Sequence, residues 1–175
     1  VIYYLALSPD LCPIAIKQLQ KYCLFQNTEK IKFNIVMEKP FGSDLLTAKS
    51  LNSLLHQIFQ EEQIFRIDHF LAKETVNNIF VLRFANTIFE PVWNNNYIES
   101  IEITANESIT VENRGVFYDQ TGILRDMFQN HLLQLLAIIA MEPPAIFDSK
   151  AVRDEKVKVF QSLHPCLSGK EAAEN

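Results

Sequence analysis

Cysteine is scarce in this 175-residue chain: there are three, Cys12, Cys23 and Cys166, odd in number and with no CxxC pair. That argues against a disulfide framework or a zinc ribbon and fits reduced thiols in a cytoplasm-like compartment. Positive charge is also short. Sixteen Lys and Arg face twenty-one Asp and Glu, giving a formal charge of −5. A protein that grips a nucleic-acid backbone needs clustered cations that release counterions, so this function class is excluded, whereas a small anionic ligand needs local charge only. Long apolar runs are missing too. The longest, Leu132 to Met141, is interrupted by Gln134 and is about half the roughly 20 residues that a membrane helix requires. There is no internal repeat and no low-complexity tract. The opening Val1 to Leu7 lacks an initiator Met and a basic stretch, and reads as a buried strand rather than a signal peptide. Together with the polar, weakly periodic end Leu167 to Asn175, it leads us to expect truncation at both termini.

What is present is a globular composition, 48% apolar with 11% aromatics, enough for a sizeable core. The apolar pattern predicts a strand over Val1–Leu7, then a helix opened by Ser8-Pro9-Asp10 and Pro13 and running to about Tyr22. A polar loop at Gln26–Thr28 precedes a second strand, Lys32–Met37. Pro40 and Gly42 break that strand, Ser43 can cap the next helix, and its Leu45, Leu46, Leu51, Leu54, Leu55 and Ile58 recur at helical spacing. Gln63–Ile67 supplies a third strand. This is the βαβαβ order of a parallel sheet, in which ligands sit beyond the carboxyl ends of the strands. The second half departs from alternation. A helix from Lys73 to Phe84, an aromatic loop over Ile88–Asn96, a strand from Ile98 to about Asn106, and a long helix from Thr121 to Met141 halted by Pro143-Pro144 read as the start of an α+β region. The fold class is therefore α/β followed by α+β, with a boundary near Arg66–Lys73.

Two charged segments follow predicted strands. Arg66-Ile-Asp68-His69-Phe-Leu-Ala-Lys73-Glu74 puts four charged groups and an imidazole into nine residues. Spacing alone leaves two readings open: a phosphate seat built by His69 and Lys73, or a solvated loop with an exposed ion pair. Lys39, beside Pro40, is either aimed at a ligand or solvent-facing. Glu107 has the default of a surface carboxylate. His131 lies on the stripe Met127, His131, Leu135, Ile138 and is either a core histidine or a general base, since imidazole titrates near neutrality. A base needs an orienting carboxylate. Asp126 is five residues away, about 140° of rotation and roughly 7.5 Å of rise on an α-helix, which argues against contact. Asp68, at a strand end, is the alternative. Trp93, Phe89 and Tyr97 read as packing rather than a nucleobase platform; Arg83, Arg114 and Arg125 are too scattered for a patch; His56 and His164 lack ligand-spaced partners, so no metal is expected.

Three blocks closely resemble the glucose-6-phosphate dehydrogenase family: Glu38-Lys-Pro-Phe-Gly42, Arg66 to Glu74, and Arg125-Asp-Met-Phe-Gln-Asn-His-Leu-Leu-Gln134 with Ala140-Met-Glu-Pro143. Their order and spacing agree with the family. The resemblance implies the closing half of a Rossmann-like NADP-binding domain over 1–67 and the start of a large β+α substrate and dimerisation domain over 68–175. It implies that glucose 6-phosphate is oxidised to a lactone with NADP, the first step of the pentose phosphate pathway, in a cytoplasmic homodimer or tetramer. His131 is then the base that takes the anomeric proton, and Asp68 its partner. His69 and Lys73 hold the 6-phosphate, Glu107 and Asp126 bind sugar hydroxyls, and Lys39, after a cis Lys39–Pro40 bond, touches substrate and coenzyme.

Family members commonly have Tyr and Gly where this chain has Phe70 and Ala72, which removes one phosphate-contacting hydroxyl and leads us to expect weaker substrate affinity. The Gly-rich turn for the pyrophosphate is not in the chain, so we expect no dehydrogenase activity from these residues alone. Two other readings share the motifs. A broader hexose-6-phosphate dehydrogenase would carry all of them, and a non-catalytic phosphosugar-binding fragment would not need both His131 and Asp68.

Overall fold

The structure is a computed structural model that describes residues 1–22, 31–106, 110–111 and 115–164. The expected loop Gln26–Thr28, Cys23, Glu107, Arg114, Cys166 and the polar end 167–175 lie outside the described residues. The chain forms two compact units: Val1–His69 with Ile109–Asp126, and Phe70–Ser108 with Met127–Asn175.

The first unit is built on a parallel sheet of three strands, β1 (Ile2–Leu5), β2 (Asn34–Glu38) and β3 (Ile64–Ile67), in that spatial order. Helices α1 (Cys12–Tyr22) and α2 (Leu45–His56) make the crossovers. Because the order advances in one direction, right-handed crossovers put both helices on the same face. Ile16 of α1 and Leu51 and Leu55 of α2 therefore meet Ile35, Met37 and Ile64 of the sheet in one buried cluster. The register sets Tyr4, Val36 and Phe65 side by side across the other face, where Tyr4 and Phe65 stay about half exposed. Period-2 alternation thus buries one face fully and the other only in part. Cys12 is a free thiol in this core, with its pKa pushed up by burial.

The start of α2 differs from expectation in its cap. Asp44, not Ser43, is the N-cap: its carboxylate accepts from the Thr47 amide at 2.8 Å, while Thr47 Oγ1 accepts from the Asp44 amide at 3.0 Å. A Thr at the third helical position completes this reciprocal box, which a lone Ser43 cap could not. The tight entry depends on Gly42 at φ +89, where an added Cβ would lie 2.6 Å from the Ala48 amide nitrogen. Arg66, on the helix-covered face of β3, holds the sheet edge to α2 through Asn52 at 2.5 Å and to the turn before β3 through Glu61 at 2.8 Å. A short helix α4 (Gly115–Thr121) also belongs to this unit.

The second unit packs α3 (Glu74–Phe84) on α5 (Leu133–Ala140) through Val76, Leu135 and Ile138. Helix α6 (Ser149–Ser162) is capped by Asp148 and tied to α5 by Lys156, whose ammonium donates to Gln134 at 3.0 Å. Arg83 of α3 is 5% exposed and donates to the carbonyls of Ile138 at 2.6 Å and Met141 at 2.9 Å. It therefore closes the carboxyl end of α5, where the last carbonyls of a helix lack partners within the helix. Burial lowers the pKa of its guanidinium from the ordinary arginine value. Trp93 adds an indole N–H to the Ile139 carbonyl at 2.9 Å, as the packing reading expects, but Tyr97 is 70% exposed and Phe89 40% exposed.

Two expectations for this half are corrected. Residues 98–106 form no strand. Ile103 does pack inward beside Val76 and Leu135 while Ile101 is exposed. An apolar alternation fixes which way side chains face, but a strand also needs a hydrogen-bonded neighbour, and these residues have none among the described residues. The long helix from Thr121 to Met141 is three pieces. Helix α4 ends at Thr121, Gly122 takes φ +74, a π-helix spans Leu124–Leu132, and only Leu133–Ala140 is α-helical. A left-handed glycine ends an α-helix because other residues meet a Cβ clash there. The helix also stops at Ala140, before the two prolines. Among the described residues no helix is long and apolar enough to cross a membrane.

Candidate functional site

In the first unit the expected ligand residues stand at the carboxyl ends of β2 and β3. Lys39 follows Glu38, the last residue of β2, and the Lys39–Pro40 bond is cis, as the resemblance implies. Its ammonium is mostly covered and donates to Asp126 Oδ1 at 3.0 Å and to the Asp126 carbonyl at 3.4 Å. The second carboxylate oxygen of Asp126 accepts from the Tyr118 hydroxyl at 3.2 Å. The structure therefore brings Lys39 and Asp126 together, with the cation neutralising a carboxylate that is 9% exposed. A buried carboxylate is tolerated on this condition, since desolvation penalises an unpaired charge heavily. Tyr118 was not singled out by sequence. One phenol eight residues before a carboxylate, across a chain reversal at Gly122, carries no periodic signal.

Asp68 and His69 follow β3 directly, Asp68 half-buried and His69 exposed. Neither can continue the strand, because the chain turns into a 3₁₀ helix over His69–Ala72. At the outer end of β2, the Tyr4 hydroxyl donates to the Glu38 carboxylate, and this bond pushes the Tyr4 pKa up.

In the second unit two expected residues meet around a third. His131 is 2% exposed and its imidazole stacks on Phe70, with ring centroids 4.7 Å apart and planes 26° from parallel. The ammonium of Lys73 lies 3.9 Å from the centroid of the same Phe70 ring. Lys73 is the N-cap of α3, and its amide donates to the Phe70 carbonyl at 3.2 Å. Sequence marked Phe70 as the loss of a hydroxyl; its ring as a common neighbour of two site residues was not visible there. Glu107 lies outside the described residues.

His131 sits in the π-helix, so the rotation and rise of an α-helix do not describe its spacing from Asp126. π-Helical insertions cost backbone regularity and occur mostly at functional sites.

Chemically, the residues of the second unit offer a buried imidazole on an aromatic ring and an ammonium on the same ring, and those of the first unit a lysine–aspartate pair backed by a phenol and an Asp-His pair beyond a parallel strand. These are groups for moving one proton and holding an anionic, hydroxyl-rich ligand.

Comparison with known proteins gives the family. Residues 1–78 match the family model described as glucose-6-phosphate dehydrogenase, NAD binding domain, and residues 80–174 match that of glucose-6-phosphate dehydrogenase, C-terminal domain. The glucose-6-phosphate 1-dehydrogenase of Treponema pallidum is 56% identical over 165 residues, 94% of this chain and 32% of the relative. That of Borreliella burgdorferi is 54% identical over 163 residues, 93% of this chain and 34% of the relative. A solved glucose-6-phosphate dehydrogenase in complex with its substrate glucose-6-phosphate superposes with a TM-score of 0.84 at 41% identity, over 94% of this chain and 33% of that one. The crystal structure of the Mycobacterium avium enzyme gives 0.81 at 41% identity, over 92% and 35%. The chain spans about a third of the length of the curated relatives it matches. With one family model matching more than half of its residues and the other most of the remainder, the chain belongs to the glucose-6-phosphate dehydrogenase family.

Proposed function

We propose that this chain supplies the catalytic base and part of the substrate seat of an NADP-dependent glucose-6-phosphate dehydrogenase. Residues 1–67 would close its coenzyme domain and residues 68–175 open its substrate domain. The observation that carries the reading is the shared ring in the second unit: the buried imidazole of His131 and the ammonium of Lys73 both contact Phe70, a base and an anion ligand against one side chain.

His131 takes the proton of the anomeric hydroxyl as the electron pair of the C1–H bond leaves as hydride, so that C1–O1 becomes the lactone carbonyl. Asp68 orients the imidazole and stabilises the imidazolium that forms. His69 and Lys73 hold the 6-phosphate through charge-assisted hydrogen bonds, and Glu107 and Asp126 take sugar hydroxyls. Lys39 is at the carboxyl end of β2, where parallel sheets seat ligands, and its ammonium suits the anionic coenzyme NADP, so the residues present fit that group. When bound, the nicotinamide supplies the hydride acceptor. The pairing of Lys39 with Asp126 holds both side chains in place until the ligand is there to share them.

The test is His131→Asn in a full-length protein carrying this chain. Loss of a general base lowers kcat by roughly 10²- to 10⁴-fold with little change in KM. A His131→Asn enzyme that reduces NADP at close to the wild-type rate would remove the assignment.

A further inference from the structure

Phe70 is half-buried, between an exposed Lys73 and a fully buried His131. Its contact with Lys73 is built into the backbone. Residues 69–72 form a 3₁₀ helix, closed by the Lys73 amide donating to the Phe70 carbonyl. In that geometry side chains three residues apart eclipse, so Lys73 is carried over the ring of Phe70 rather than splayed away from it. The 3.9 Å from ammonium to ring centroid lies within the range of a cation–π contact. The imidazole of His131 comes from the π-helix at 4.7 Å and 26°, the spacing of an offset stack.

Resting on the function just proposed, we propose that Phe70 is a positioning residue: its ring fixes the imidazole of His131 and the ammonium of Lys73 relative to each other, so that the proton acceptor and a phosphate ligand share one aromatic support. This assigns the residue a role that needs no hydroxyl. The flat face is what both neighbours contact, and a phenylalanine supplies it as fully as a tyrosine. A side chain of similar apolar bulk without a π face would fill the space but leave the imidazole free to rotate and the ammonium free to swing into solvent. A purely volumetric role would not distinguish the two.

Phe70→Leu and Phe70→Tyr in the full-length protein separate these roles. Expected for Phe70→Leu is a kcat lower by about three- to tenfold, from loss of the stack. A KM for glucose 6-phosphate higher by about three- to fivefold would accompany it, from loss of the ammonium's support. Phe70→Tyr should rescue kcat, because the ring is kept. The contact itself is read without activity, in ¹³C-histidine-labelled protein, where the His131 imidazole proton is identified by its absence in His131→Asn. In the wild type the stacked ring shifts this resonance upfield; Phe70→Leu should lose that shift and Phe70→Tyr retain it. A Phe70→Leu enzyme with unchanged kcat, KM and resonance overturns the proposal, and so does a Phe70→Tyr enzyme as impaired as Phe70→Leu. A rise in KM with kcat unchanged overturns the part that concerns His131. An active His131→Asn enzyme overturns the underlying function, whereas an inactive one beside an unperturbed Phe70→Leu overturns the support role alone.

Discussion

Arg83→Met tests whether the second unit is held by a buried cation or by apolar packing. The guanidinium makes two charge-assisted hydrogen bonds, to the carbonyls of Ile138 and Met141, both residues being 1% exposed. It also lies 4.5 Å from the ring centroid of Phe84 and 5.2 Å from that of Trp93. Hydrogen bonds to charged groups contribute about 1.5–3 kcal/mol each, and the orphaned carbonyls could not turn to water. Against this, methionine relieves the cost of burying the charge, the cost that lowers the pKa of Arg83. Two such bonds, less that relief, come to about 3–5 kcal/mol, and we expect a value in that range. For a unit of this size, at about 4–8 °C per kcal/mol, that is a fall of roughly 12 °C or more in the thermal midpoint. Arg83→Lys should recover little of it, because an ammonium cannot span two carbonyls in a fixed fork. Thermal unfolding of the full-length protein, with amide exchange at the end of α5, checks both. A midpoint within about 2 °C of wild type, with protection at Met141 intact, would show that packing alone closes the helix.

The strands and helices of residues 1–67 were legible in sequence because each of their signals is local, whereas helix α4 of the same unit was not foreseen. Apolar runs of strand length, Pro40 and Gly42 after the second run, and helical spacing from Leu45 to Leu55 fix β2, the break and α2 without long-range information. The cap was misplaced by one position since Ser43 and Asp44 are both good caps. What decides between them is a partner three residues on, and Thr47 pairs with Asp44 in both directions. The second unit was less legible. The alternation at 98–103 was read as a strand, although Ile101 is exposed and no neighbour among the described residues supplies a ladder. Arg83 was passed over as scattered because its partners lie about 55 residues away along the chain.

For the site, sequence could list the residues but not their company. His131 satisfies the apolar stripe that a core histidine would, and it is indeed buried; burial and function do not compete when the imidazole is held by a ring. The exclusion of Asp126 assumed one helical period from Thr121 to Met141. A π-helical stretch leaves apolar residues near enough to helical spacing that no count of them reveals it, yet it changes which residues share a side. The position of Lys73 over Phe70 was in principle readable, as i and i+3 in a 3₁₀ turn, had the turn rather than an early helix start been recognised.

The remaining predictions concern the entry to α2, which follows Lys39. Gly42→Ala should cost about 1–3 kcal/mol, since it adds left-handed strain at φ +89 to a backbone clash of 2.6 Å; a thermal midpoint equal to wild type would mean that the turn relaxes freely. Asp44 predicts a pH dependence. Its carboxyl pKa is held below the ordinary value, chiefly by the hydrogen bond from the Thr47 amide and then by the Thr47 hydroxyl. A carboxyl whose folded pKa is depressed contributes stability that is fully present above its unfolded pKa and is lost as pH falls through its folded pKa. The helix start should therefore loosen only in acid, at and below the usual carboxylate range. Asp44→Asn, which can still cap through its side-chain carbonyl but does not titrate, should flatten that part of the profile while leaving the neutral-pH midpoint nearly unchanged. Amide exchange at Thr47 followed from neutral to acid pH reads it directly. Equal acid sensitivity at Thr47 in wild type and Asp44→Asn would place the titrating group elsewhere.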